Sequence, residues 1–315
     1  MTAYYSSLAM VTSAVLYLVA MTIHAVEWAS VRGTRTQPAP ALVNAGAAGA
    51  DGQPRTARPA PPISGTEELL GRVGLAITVV AAISHVLGVV LRGVAADRAP
   101  WGNMYEFITT SLAIAVLTYL VLAWKFGMRW LGLPVTLLLT VGQGLAVTVF
   151  YVEVSELMPA LHSVWFIIHI IAAATSGAAF NIGGIAAILY LIRARDEQLG
   201  GSSGYLSRLP AAEVLDRISY RFLAFAFPLW TFTVAAGAIW AQYAWGRFWG
   251  WDPKETMSLV TWIIYAGYLH ARATVGWKGR RAAIVAIVGL ASFWFNFIGI
   301  NLLVSGLHSY SGIPR

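Results

Sequence analysis

The chain is 315 residues long, 58% apolar and only 11% charged, with a formal net charge of +7 and no cysteine. That balance excludes an ordinary soluble domain, in which about a quarter of the residues are charged. The missing thiols exclude disulfide exchange, an iron–sulfur cluster and covalent cofactor attachment through the chain's own thioethers.

Eight apolar runs come close to or exceed the ~20 residues that carry a helix across a bilayer: 8–26, 73–92, 104–123, 131–151, 162–192, 220–240, 257–275 and 283–305. The first has no basic leader and no small-residue cleavage site after it, so it reads as a retained helix. Residues 33–66 are rich in Pro, Ala, Gly, Thr and Arg with no apolar period, the composition of a flexible linker. The organisation predicted is a first transmembrane helix over 1–30, a cytoplasmic linker over 31–70 and one membrane domain over 71–315. The fifth run is overlong and must tilt or project. Its small-residue stretch Ala172–Ala179 suits close helix packing. A Gly/Ser-rich stretch follows over 196–216 and turns amphipathic around Ala211–Ile218. Lipid offers no partner to unpaired backbone groups, so the expected fold is all-α: a polytopic membrane bundle of about eight helices.

Lys and Arg set its orientation. With the N-terminus outside, sixteen of the 21 basic residues fall in inner loops, and five (Arg92, Arg98, Arg247, Lys254 and Arg315) fall outside. The positive-inside rule then places both termini, and the loop after the sixth helix, on the extracytoplasmic side. The positive charge is accounted for by membrane lipid, since the inner loops would lie against an anionic leaflet. No nucleic acid is needed to explain it.

The most specific stretch is Trp245-Gly-Arg-Phe-Trp249-Gly-Trp251-Asp-Pro-Lys-Glu255. Asp252 at the N-cap, Pro253 at N1 and Glu255 at N3 read as a capping box that opens the seventh helix. Three Trp around two Gly exceed what an interfacial aromatic belt requires, although that belt accounts for Trp28, Trp124, Trp130 and Trp277. The string WGRFWGWDPKETMSLVTWIIYAGYLHAR resembles the tryptophan-rich signature of the CcsA/ResC type of cytochrome c assembly protein. Pro100-Trp-Gly-Asn-Met-Tyr-Glu106 resembles a second element of that family, and the resemblance spans about residues 70–312. The related CcmC and CcmF haem handlers share a Trp-rich loop. The Asp-Pro-Lys-Glu ending, the position of His270 and the Gly-Leu-His-Ser-Tyr terminus favour CcsA/ResC.

Six histidines are present: His24, His85, His162, His169, His270 and His308. An intramembrane His reads equally as a ligand or as a simple bond to a neighbouring helix. His169 lies near the outer start of the fifth helix and His308 just past the outer end of the last, on the side of the Trp-rich loop. Two imidazoles below an aromatic platform suit bis-His ligation of haem iron. The resemblance implies the same pair for an outer haem. His270, thirteen residues past Met257, sits ~20 Å along its helix at 1.5 Å per residue, in the inner half of the membrane. The resemblance implies an inner haem there, with its second His supplied by a CcsB/ResB-type membrane protein. His24 is a rival second ligand, His85 has no evident partner, and His162 shares a helix face with His169.

Flat Trp245, Trp249 and Trp251 faces would stack on a porphyrin, with Trp240 and Trp262 completing the wall. Arg247 and Lys254 are the nearest outer cations for its propionates. Asp252 joins the site through its loop. Asn103, Tyr105 and Glu106 are further candidates, with a helix cap as the equal alternative. The function implied is delivery of haem b, as cargo, to apocytochrome c bearing Cys-X-X-Cys-His. The partners expected are a CcsB/ResB-type protein, the apocytochrome and thiol-reducing proteins that act on it. No residue reads as a general acid or base, so any catalysis would belong to a holocytochrome c synthase complex. The alternatives are a haem-b electron-transfer subunit, or a haem exporter with no part in ligation.

Overall fold

A computed structural model describes residues 1–30, 65–200 and 205–308, and the linker reading of 31–64 lies outside these. The described residues form helices and no strands. In chain order the long helices are α1 (Thr2–Ser30), α2 (Gly65–Ala96), α3 (Met104–Lys125), α4 (Gly132–Thr148), α5 (Val164–Gln198), α6 (Ala212–Trp245), α7 (Pro253–Thr274) and α8 (Arg280–Trp294). A π turn over Phe295–Gly299 leads into a short last helix, α9 (Ile300–Leu303). Each of the eight apolar runs is thus a helix. Gly65 already begins α2, so residues 65–70 belong to that helix and not to a linker.

Seven of these helices are long and apolar enough to cross a membrane, counting the 3-10 turn at Arg129–Leu131 with α4, and α8 with its continuation to Leu303. The protein is therefore a multi-pass membrane protein. The exception is α7, whose 22 residues include Lys254, Glu255, His270 and Arg272.

Two apolar cores organise the bundle. The first joins α1, α2, α3 and α4 around Tyr17, Leu112, Leu131 and Leu139. The second joins α5, α6, α7 and α8 around Phe180, Leu223, Trp230 and Tyr265. Small residues of α5 let its neighbours close in: a side chain at Gly184 would meet Leu290 of α8, and one at Gly183 would meet Leu223 of α6. Pro228 inside α6 removes one helix hydrogen bond within the membrane.

Opposite bundle ends are tied by different devices. At one end Arg272 makes a bidentate pair with Asp216, both bonds 2.9 Å, and Asp216 also accepts from Gly279 N. Trp28 stacks on Tyr205, whose hydroxyl donates to the Trp130 backbone carbonyl, and the side chains of Trp28 and Trp130 both pack against the buried Leu189, Leu209 and Leu215 cluster, so neither indole belongs to a simple lipid belt. Trp124 is exposed, as a belt residue should be.

Candidate functional site

At the other end, four connecting segments converge: 97–103, 149–163, 246–252 and 304–308. Glu106, fully buried, gathers the first two. It accepts from Arg92 Nε at 2.9 Å, Arg98 Nη1 at 2.7 Å and Gly102 N at 2.8 Å. The same arginines donate to the carbonyls of Val152 and Ser155. Asn103 caps α3 through its side-chain oxygen.

The Trp-rich loop is built from its two glycines and its capping box. Gly246 ends α6 in the left-handed region, φ 72°, where glycine is favoured. A Cβ at Gly250 would collide with the Arg247 guanidinium. Glu255 reaches back from the first turn of α7 to Gly250 N (2.8 Å) and Asp252 N (3.0 Å), and pairs with Arg247. The capping box expected from the sequence is present. Between those two bonds Trp251 sits at φ 58°, a left-handed conformation costing roughly 1–2 kcal/mol for a residue with a Cβ. The flanking bonds hold it there.

Beneath the loop lies a cleft between α3, α5, α6, α7 and the π turn. Its cavity volume is about 170 Å³, below the ~300–1,000 Å³ of ordinary ligand sites, so a cofactor-sized ligand would extend through its open mouth. His169 and His308 both line it, together with Trp240, Trp249, Lys254 and Asn103. His169 Nδ1 lies 2.8 Å from the Thr233 carbonyl oxygen. A carbonyl only accepts, so Nδ1 carries the proton and Nε2 keeps its lone pair. Gly237 makes room for this ring, since a Cβ there would stand 2.8 Å from Nδ1. His308 Nδ1 lies 2.8 Å from Asp252 Oδ1, which fixes the same tautomer. Burial alone would raise the Asp252 carboxyl. The His308 bond and the N–H groups of Leu307 and Lys254 outweigh it and hold the group below the usual carboxylate range.

Trp240 links the two imidazoles. Its ring stacks at 5.8 Å from His169 and meets His308 edge-on at 5.5 Å. Its Nε1 donates to the Ala160 carbonyl, which locks the indole in place. Trp245 packs behind it, against both Trp240 and His308.

The other sequence candidates separate into groups. Trp251 is 68% exposed and stands edge-on to Trp249. Arg247 is engaged by Glu255. Tyr105 is buried against Tyr151 and Arg92, and neither it nor Glu106 is among the cleft-lining residues. Trp262 packs on Phe227 and donates to Thr231, away from the cleft. His162 precedes α5 at the end of a 3-10 turn, so it shares no helix face with His169. His85 has a partner after all, the Tyr17 hydroxyl at 3.1 Å. His24 is buried in the first core, bonded to Glu27 and pressed against Gly74 and Gly132. His270 is exposed on α7, seventeen residues from its start and thus ~25 Å along it.

Two features escaped the sequence reading. Asp252 reads there as a helix cap that joins the site through its loop, yet its carboxylate also binds a histidine 56 positions away. Trp240, expected to complete the wall beside the loop, is in addition the ring that joins His169 to His308.

Residues 101–308, which contain the cleft, the loop and both histidines, match the family described as cytochrome C assembly protein. The chain belongs to that family. It is 33% identical over 298 residues to the cytochrome c biogenesis protein CcsA of Synechococcus sp. (strain JA-3-3Ab), covering 77% of this chain and 86% of the relative. It is 35% identical over 295 residues to CcsA of Gloeobacter violaceus, covering 77% and 87%. It is 34% identical over 267 residues to CcsA of Chlamydomonas reinhardtii, covering 79% and 74%. Among solved structures, cytochrome c haem lyase CcmF superposes with a TM-score of 0.64 over 98% of this chain and 48% of its own, at 12% identity, a likeness of fold. This cytochrome c assembly protein therefore works in cytochrome c maturation.

Proposed function

We propose that this CcsA-like protein receives haem b as cargo and presents it at the outer cleft for attachment to apocytochrome c. The observation that carries the reading is the pair His169 and His308, each with Nδ1 committed as a donor and each lining one aromatic cleft. Metal-bound histidines almost always donate their second nitrogen to a carbonyl or carboxylate, as these two do. Trp249 and Trp240 supply apolar walls, and Lys254 a cation for a propionate. The thiols and vinyl groups that form thioethers belong to substrate and haem, so the protein's contribution is positioning. Co-expression with a CcsB/ResB-type protein and an apocytochrome, scored for covalent haem, tests the reading. Bound haem without covalent product in the complete system would favour an exporter instead.

Haem arrives through an inner site at His270. This imidazole is exposed on the least apolar long helix, beside Gly267, where an added Cβ would meet nothing within 4 Å. A partner helix of the CcsB/ResB type would supply the second ligand, which couples haem loading to assembly. An electron-transfer subunit would need two complete ligand pairs in one chain, and His24 and His85 are committed within the first core. His270→Ala is expected to remove one haem per complex and leave the outer ligands intact, whereas His24→Ala leaves haem content unchanged. Pyridine haemochrome analysis of the purified complex measures both. A six-coordinate inner haem that depends on His24 would sink the shared-ligand reading.

The Trp-rich loop and both termini face outward in the bacterial plasma membrane, and thiol-reducing proteins act there on the apocytochrome. The sixteen-to-five basic asymmetry supports this orientation. The native chain has no Cys, so single substitutions report cleanly. An impermeant maleimide on intact cells is expected to label Ser311→Cys and not Ser64→Cys. The reverse pattern would invert the topology and exchange the two haem layers.

A further inference from the structure

We infer that Asp252 is the positioning residue of the outer iron site: its carboxylate presents His308 through Nε2 and makes that ligand's placement depend on the folded Trp-rich loop. The inference rests on the reading of His308 as an iron ligand and adds what holds it there.

The two histidines are supported unequally. His169 is fixed by α5, with its ring nitrogen on the neutral Thr233 carbonyl. His308 lies beyond α9, in a segment without regular structure where Val304 is already extended. A side chain there is placed only by what it touches. Among the described residues the His308 ring meets Asp252, Trp240 and Trp245, and of these only Asp252 holds it by a hydrogen bond.

Asp252 is 6% exposed and grips this segment at two points. Oδ1 accepts from His308 Nδ1 at 2.8 Å, and Oδ2 accepts from Leu307 N at 2.7 Å. The segment presses so closely that a Cβ at Gly306 would stand 2.6 Å from Oδ2 and 3.2 Å from Pro253 Cδ. The same Oδ1 takes Lys254 N at 3.1 Å in the capping box, and Glu255 holds the Asp252 backbone from behind. One carboxylate therefore joins the start of α7, the Trp-rich loop and the His308 segment.

Two consequences follow from its chemistry. A carboxylate acceptor raises the basicity of the imidazole and strengthens its donation to iron, most of all to the ferric ion. A loop that loses its capping box also loses the ligand, so the Trp platform and the iron ligand assemble together or not at all.

The test separates cap from carboxylate. Serine and asparagine are N-caps comparable to aspartate. Asp252→Ser keeps the cap but is too short to hold His308, and Asp252→Asn keeps the length without the charge. In the complex with its CcsB/ResB-type partner, Asp252→Ser is expected to lower outer haem content about 10–100-fold, the usual effect of removing an outer-shell partner. Added imidazole should restore haem, as it should for His308→Ala. Asp252→Asn is expected to retain haem at a higher reduction potential, read by optical redox titration. An unchanged haem content in Asp252→Ser together with an unchanged potential in Asp252→Asn, while His308→Ala loses haem, would reduce Asp252 to a helix cap. If His308→Ala itself keeps the outer haem, the ligand reading fails, and this inference with it. Should the Ser variant not accumulate, the potential of the Asn variant decides alone.

Discussion

Replacing either His169 or His308 with Ala is expected to cut holocytochrome formation more than about 100-fold, since loss of even an outer-shell partner of a metal ligand costs about 10–100-fold. Neither imidazole has a substitute. No other histidine lines the cleft, and its remaining polar groups, including Lys254, Glu255, Ser258, Asn103 and Asn296, are poor partners for haem iron. Both rings lean on Trp240, so truncation opens a hole beside an aromatic wall that stays in place through its bond to Ala160. Imidazole of the right size can enter such a hole and fill the vacant coordination position. Partial rescue by millimolar imidazole is therefore expected for each single variant and not for both together. Absorption spectra of the purified complex and haem-stained cytochrome give the two readouts. Normal spectra with normal maturation in the double variant would remove the pair from the mechanism.

The membrane architecture was legible because transfer into lipid leaves a broad signal. A crossing helix needs about twenty apolar residues, and seven of the eight runs show them plainly; α7, with its charged and His residues, is the exception. The start of α7 was legible for a local reason: Asp252, Pro253 and Glu255 satisfy backbone groups within one turn of each other. That His169 and His308 share one end also followed, because helix count fixes which ends coincide. What stayed hidden were pairings across distance. Nothing in the spacing of Asp252 and His308, Tyr17 and His85, or Trp240 and His169 announces a contact, since each depends on how helices rotate about their axes. Asp252 shows the difficulty most clearly. Its capping role and its place in the Trp-rich loop are both legible, but nothing in the sequence signals its bond to His308.

Glu106 carries the largest structural expectation. The sequence places it beside Asn103 at the start of a helix, where a cap and a ligand-binding group look alike. The structure surrounds it with Arg92, Arg98 and the Gly102 N–H, and the same arginines hold the carbonyls of Val152 and Ser155. One carboxylate thus balances two guanidinium groups with little access to water. Removing one partner of a buried ion pair costs about 3–5 kcal/mol, because the charge left behind stays buried without compensation. Glu106→Ala leaves two such charges facing each other, so it belongs at or above the top of that range. Glu106→Gln keeps the shape and some hydrogen bonds and should fall in between. Arg98→Met leaves the neutral Arg92–Glu106 pair intact and should cost least. The predicted order of thermal stability in detergent is therefore wild type, Arg98→Met, Glu106→Gln, Glu106→Ala. Accumulation of the protein in membranes should follow the same order. Haem bound per surviving molecule separates this role from ligand contact: it should change little in Arg98→Met and Glu106→Gln. A Glu106→Gln variant of full stability that binds no outer haem would instead place the carboxylate in the haem site.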